Sequence, residues 1–179
     1  VHTRLLKCAL EIDESRAYWA HTNGQSPTDP KQVFEEYWFG ARSLPYVQVI
    51  LTNLRARFTA HPHVLPTLHA WREMSVETRR CICHWHMQLS DPMYRNFSGV
   101  YLPKRRHEHT HINRDRVIAW VTDQGRERWS TATRIQFASK LLSVAYDAGL
   151  LSENRDPRPI VLPHVPDDAL EYLLYLLRD

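Results

Sequence analysis

Apolar residues in this 179-residue chain recur at three- and four-residue intervals almost from end to end. Nowhere do they alternate over more than four residues, and Ile160-Val161-Leu162 is the one candidate strand. A three-to-four spacing gathers apolar side chains on one face of a helix, so the expected fold class is all-α, built helix on helix. Six Trp, eight Tyr and five Phe supply enough large anchors for a core and exclude a solvated coil. No apolar run approaches the roughly 20 residues of a membrane-spanning helix. No signal-peptide pattern is read. Three cysteines are an odd count, and two of them sit in Cys81-Ile82-Cys83. That usage points to free thiols in a reducing compartment, hence an expected cytoplasmic location.

Capping residues and glycines set the expected boundaries. Pro30 behind Thr28-Asp29 starts a helix over 30–39, in which Val33, Phe34, Tyr37, Trp38 and Ala41 recur and Gly40 suits a left-handed stop. Ser43 caps the next, to about Phe58, with Val47, Ile50, Leu51, Leu54 and Phe58 inward. Helices over 64–74 and 76–89 and a short one from Pro92 follow. Residues 99–112, rich in charge and His, read as a loop or a short extended arm. Asn113 caps a helix with Val117, Ile118, Trp120 and Val121 inward, stopped by Gly125. Ser130 caps the longest helix, 131–148, with Ile135, Ala138, Leu142 and Ala145 as its apolar stripe and Gly149 at its close. After a connection with four prolines, Pro166 starts a last helix with Leu170, Leu173, Leu174 and Leu177 inward. The expected division is an N-terminal helical domain, 1–94, and a C-terminal one, 95–179.

The net charge of +3 is unevenly spread. Residues 1–94 carry +1, residues 95–140 carry +6, and residues 141–179 carry −4. A basic block of that density is a candidate polyanion-binding surface, although a solvated face offset by the acidic tail has the same composition. Two stretches, 30–58 and 113–149, have the layout of a helix–turn–helix: a short helix, a glycine turn, then a capped longer helix. In that motif the N-terminal residues of the second helix read base edges in the major groove. The second stretch is the better candidate. Arg126, Arg128 and Arg134 cluster about the helix start at Ser130, where free amides favour a phosphate. Thr133, Gln136 and Lys140 continue down a polar stripe. In the first stretch Arg42 and Ser43 hold the equivalent positions, with Arg55 and Arg57 further along.

Lys104, Arg105 and Arg106 precede the second stretch and are candidates for phosphate contacts. The alternation of His107, His109 and His111 would place three imidazoles on one face of an extended segment, a pattern that also occurs in metal sites, though the neighbouring cations disfavour one. In Cys81-Ile-Cys83-His84-Trp85-His86 the four polar residues fall on two faces of a helix and cannot converge on one ion. The cluster reads as buried thiols beside Trp85 in a core helix. No Walker loop, GxGxxG, HExxH or nucleophile elbow occurs. The chain is therefore expected to be non-enzymatic, without cofactor or metal.

The stretches EIDESRAYWAH, YWFGARS with ILTNLRARF, ICHWHMQLSDPMYRNF, RWSTATRIQFASKLLSVAYDAGLL and ALEYLLYLLRD resemble, in order, the BrxA family. These are small helical components of bacterial BREX phage-defence systems. The resemblance implies a non-enzymatic protein with two helix–turn–helix elements that binds double-stranded DNA. It also implies partners among the system's methyltransferase, ATPase and phosphatase-like subunits; an inner-membrane label attached to the family is not matched by any spanning segment here, so no membrane is expected. The family's fold is similar to that of helical RNA-binding antitermination factors, so RNA is the alternative ligand and a protein scaffold the third reading.

Overall fold

Proline, capping side chains and left-handed glycines set most of the boundaries in the computed structural model, which describes residues 9–22, 29–124 and 129–178. The all-α expectation holds: apart from one two-stranded ribbon, the regular structure is helical. The chain divides into two compact units that interleave along the sequence. The flanking unit comprises Glu11–His86 with His164–Asp179, and the mid-chain unit Val1–Leu10 with Met87–Pro163. The last helix thus clusters with the N-terminal helices, whereas the sequence reading groups it with residues 95–163.

In the flanking unit, α1 (Ile12–Thr22) packs on α3 (Leu44–Phe58) and α4 (Val64–Ala70), and α2 (Pro30–Glu35) packs on α3. Helix α5 (Val76–Ser90) contributes its length up to His86. Helix α3 buries Val47, Ile50, Leu51, Leu54 and Phe58, as its spacing predicts. Phe58 is the hub: Trp19 meets it edge-on at 5.6 Å, Tyr18 stacks at 5.9 Å, and His86 lies 4.4 Å away. Helix α1 has no counterpart in the sequence reading. Its buried face is Ser15, Tyr18, Trp19 and Thr22, so half of the stripe is polar.

His86 is fully buried and uses both ring nitrogens. Nδ1 lies 3.2 Å from the Arg57 carbonyl, which can only accept, so Nδ1 donates. Nε2 must then accept, from the Tyr172 hydroxyl at 2.6 Å. Burial pushes this imidazole down to about 3, so it is neutral at physiological pH. Tyr172 belongs to α10 (Asp167–Leu176), which is held by three hydrogen bonds one to two turns apart. Thr78 Oγ1 donates to Asp168 at 2.8 Å, Tyr172 donates to His86, and the Tyr175 hydroxyl donates to the His63 carbonyl at 3.0 Å. Asp168, Tyr172 and Tyr175 lie on one face, with Ala169 and Leu176 beside them. That corrects the expected orientation: Leu170, Leu174 and Leu177 are exposed, at 45%, 73% and 62%.

In the mid-chain unit, Asp91 caps α6 (Pro92–Asn96) by accepting from the Met93 and Tyr94 amides. A π-helical turn, Phe97–Tyr101, leads directly into α7 (Leu102–Glu108). The expected loop or extended arm over 99–112 is therefore largely helical. Pro103 explains the wide turn: its ring would clash with the carbonyl four residues back, Gly99. Widening relieves this, and the Leu102 amide reaches Phe97 instead. A ribbon follows, with β1 (His111–Ile112) antiparallel to β2 (Arg158–Pro159) and Leu151 bridged to Ile160. The candidate strand at 160–162 contributes only that bridge. Asn113 caps α8 (Arg114–Asp123) and Ser130 caps α9 (Thr131–Asp147), each accepting from the amide three residues on. The two helices pack on each other. Gly149, at φ +75°, closes α9 as expected. The proposed stop at Gly125 lies outside the described residues.

The expected stripe of α9 needs one correction. Ala138, Leu142 and Ala145 are buried, but Ile135 is 38% exposed. The buried arc is centred on Leu141 and includes Phe137 and Val144. At roughly 100° per residue, Ile135 points well away from that centre. Trp129 stacks on Phe137 at 4.2 Å and fixes the helix on that side.

The hydrogen bonds to α10 lead to a contrast between two neighbours. Tyr172→Phe removes the donor to a buried acceptor and is expected to cost about 1–3 kcal/mol. Leu174→Ser, on the exposed face, is expected to change stability by no more than ~0.5 kcal/mol. Urea denaturation measures both. The unfolded His86 binds a proton near 6.5 and the folded one near 3, so the unfolded chain takes up the proton first. Stability is therefore full above pH 6.5 and falls progressively as the pH drops toward 3. His84, pushed down by burial to about 4, adds in the same direction. A urea midpoint that does not fall between pH 7 and pH 5 contradicts this assignment.

Candidate nucleic-acid interface

Helix α9 presents a polar outer face. Thr131, Ala132, Gln136 and Ser139 are exposed, and Lys140 and Ser143 are half-exposed. About 490 Å³ of open space lies against this face, lined by Ile135, Gln136, Ser139, Lys140 and Ser143. At its start, Ser130 accepts from the Thr133 amide at 3.2 Å, and the two hydroxyls lie 3.0 Å apart. The Ser130 side chain is thus spent on capping, and so is much of Thr133. The Thr131 and Ala132 amides have no acceptor among the described residues. Arg134 is half-buried one turn further in.

Helix α8 differs at its start. The Asn113 side chain takes the Arg116 amide at 3.0 Å, and Asp156 takes the Arg114 amide at 2.9 Å. Asp156 also pairs with Arg158 at 2.9 Å. A carboxylate already occupies this helix start, so an incoming phosphate is disfavoured there. The side chains of Arg114 and Arg116 remain exposed beside it.

The expected basic residues of 104–106 are helical. Lys104 and Arg106 are exposed on α7, and Arg105 is half-buried. The helical backbone separates the three histidines: His107 is within α7, His109 ends it, and His111 is in β1. The extended alternation they needed for one shared face does not exist. No cluster of three or more His, Cys, Asp or Glu forms among the described residues.

The first stretch fares differently from the second. Helix α2 stops at Glu35, not at residue 39, and eight residues separate it from α3. Tyr37 takes a left-handed conformation at φ +55°, while the Trp38 indole donates to Glu36 at 2.7 Å and stacks on His21 at 4.4 Å. These contacts close the helix early, and Gly40, at φ +71°, turns the chain toward α3. Arg42 and Ser43 are exposed, with the Arg42 guanidinium over the Tyr46 ring at 5.2 Å. Arg55 is half-buried and already engaged. Arg57 is 3% exposed and pairs with buried Glu11 at 3.0 Å. It is part of the core, and its place among the nucleic-acid contacts is withdrawn. A buried charge needs a buried counter-charge, and Glu11 supplies it.

Arg126 and Arg128 lie outside the described residues. Two basic residues that the sequence reading does not single out, Arg114 and Arg116, stand exposed on α8, and Arg116 lines one cleft with Lys104 and Arg105. They belong to the +6 block, but at the start of a capped helix they read as ordinary solvent-facing residues.

The Cys81–His86 cluster is core. Cys81 and Cys83 are buried, and His86 is fully hydrogen-bonded. Burial pushes the Cys83 thiol up to about 11 and raises Cys81 as well. Neither thiol ionises at neutral pH, so neither is a ready nucleophile. In a Cys8→Ser background, no thiol is expected to react with a thiol reagent until denaturant is added. Rapid reaction of the native protein contradicts the buried placement.

No helix of the described residues is long and apolar enough to cross a membrane. The chain matches no protein-family model, and no curated protein matches it.

Proposed function

We propose that this chain is a non-enzymatic protein that binds double-stranded DNA, through the basic outer surface of its mid-chain unit. One observation carries the reading. Lys104, Arg105, Arg106, Arg114, Arg116, Arg134 and Lys140, all within the basic block of the mid-chain unit, make no ion pair with any described residue, whereas Arg158 of the same unit pairs with Asp156. Cations left unpaired across three helices of one unit are what a phosphate backbone requires. Gln136 and Ser139 lie on the exposed face of α9, and in this reading they meet base edges. The resemblance to the BrxA family supports the same ligand and supplies the setting, a cytoplasmic BREX phage-defence system with its methyltransferase, ATPase and phosphatase-like subunits as partners.

A second reading, a scaffold for other defence proteins, is favoured by the exposed Leu170, Leu174 and Leu177 on α10.

Fluorescence anisotropy with a random-sequence duplex tests the first reading. If about four phosphates are neutralised, raising salt from ~50 to ~200 mM weakens binding about 100-fold. Replacing Lys104, Arg106 and Lys140 together with Ala is expected to weaken binding and to flatten the slope by about two to three units. Single-stranded RNA is expected to compete poorly. An unchanged slope contradicts the assigned surface. No duplex binding at low salt, with partner capture lost in Leu170→Ser/Leu174→Ser, favours the scaffold.

A further inference from the structure

A cleft of about 550 Å³ lies within the mid-chain unit, between the π-helical turn, α7 and α8. The volume is in the range of small-ligand sites. Its walls combine three chemistries. Tyr101 and Trp120 supply aromatic surface, with ring centroids 5.1 Å apart and planes 30° from parallel. Lys104, Arg105 and Arg116 supply positive charge, and Glu108 and Asp123 supply carboxylates. None of these five charged groups is ion-paired with a described residue. Their charges face one open volume and are not spent on each other.

Each component narrows the ligand. Three uncommitted cations call for an anion, and guanidinium forks suit phosphate oxygens. Inorganic phosphate alone would leave the carboxylates and the aromatic rings unused. A ligand with a flat π-surface and N–H or O–H donors as well as a phosphate uses every wall. Bases stack on aromatic rings whatever their sequence, and base amino groups and sugar hydroxyls donate to carboxylates. Asn96 and Gln124, hydrogen-bonded to each other at 3.1 Å, close one end with further amide groups.

Two further observations point to the same place. The wall of the cleft carrying Val100 and Tyr101 is the π-helical turn, an irregularity that occurs frequently at functional sites. Burial raises the Tyr101 hydroxyl, with Arg105 and Arg116 lowering it and Asp123 and Glu108 raising it, so charges of both signs surround the aromatic wall. The Tyr101 hydroxyl also donates to the Arg116 carbonyl at 3.5 Å, which brings the start of α8 to the same wall.

We infer that this cleft binds a single nucleoside monophosphate unit. A free nucleotide and an unstacked terminal nucleotide of a strand present the same base-plus-phosphate chemistry. The site shares Lys104, Arg105 and Arg116 with the proposed duplex surface, but it does not rest on that reading.

Isothermal titration of the full chain with adenosine monophosphate, adenosine and inorganic phosphate tests the inference. Anisotropy with blunt duplexes and duplexes carrying a single-stranded overhang separates the two sources. Adenosine monophosphate is expected to bind at least tenfold tighter than either fragment. Arg116→Glu, an exposed substitution, is expected to weaken it at least tenfold with unchanged melting temperature, and Lys104→Glu to do the same. Lys140→Ala is expected to leave nucleotide binding intact while weakening the blunt duplex, so loss of either activity is read separately. Overhang preference that Arg116→Glu abolishes assigns the strand terminus as the source. Nucleotide binding without overhang preference assigns the free nucleotide. If adenosine monophosphate binds no tighter than phosphate and the overhang gives no preference, the inference is overturned. Binding that both charge reversals leave unchanged overturns it equally.

Discussion

The neutral, doubly hydrogen-bonded His86 is the point on which the flanking unit is built. Its Nδ1 ties α5 to the backbone of α3 at Arg57, and its Nε2 ties α5 to α10 through Tyr172. The Arg57 side chain extends the same chain of contacts to Glu11, at the start of α1, where the backbone takes φ +58°. Buried polar groups joined in this way are costly to satisfy in part, so the segments that carry them are held to one arrangement. Removing one partner of a buried ion pair typically costs about 3–5 kcal/mol. The network consumes the charges it uses: Arg57 has the composition of a phosphate ligand and the position of a core residue.

In the mid-chain unit Asp91, Asn113 with Asp156, and Ser130 take amides at the helix starts. The π-helical turn and α7 place Lys104, Arg105 and Arg106 beside the basic start of α8, and α9 adds Lys140 on its outer face. The mid-chain unit carries the dense basic block, and its exposed and half-exposed cations on α7, α8 and α9 are the physical basis for proposing nucleic-acid binding there.

The fold class was legible because helical spacing and capping residues agreed over most of the chain. Asn113 and Ser130 cap the helices that they were read to cap, α6 starts at Pro92 as expected, and Gly149 closes α9. Helix faces were less legible where apolar residues surround the helix. In α10, leucines fall on both sides of the helix, and the partners of Asp168, Tyr172 and Tyr175 decide which side is buried. The charged segment 102–108 offered one buried apolar residue, Leu102, and hence no periodicity to read. Within the candidate site, Lys104, Arg106, Gln136 and Lys140 were found through charge density and the polar stripe. The cleft of Tyr101, Arg116 and Trp120 was not, because residues fifteen and more apart meet only where the π-helical turn sets Phe97 and Tyr101 against α8.

Hydrogen–deuterium exchange of the full chain, with and without a short random-sequence duplex, tests most directly whether the mid-chain unit carries the nucleic acid. The account predicts protection in peptides covering α7, the start of α8 and the exposed face of α9, with α3 and α10 unchanged. Protection centred on Arg42–Phe58, or none at duplex concentrations that saturate binding, would contradict it.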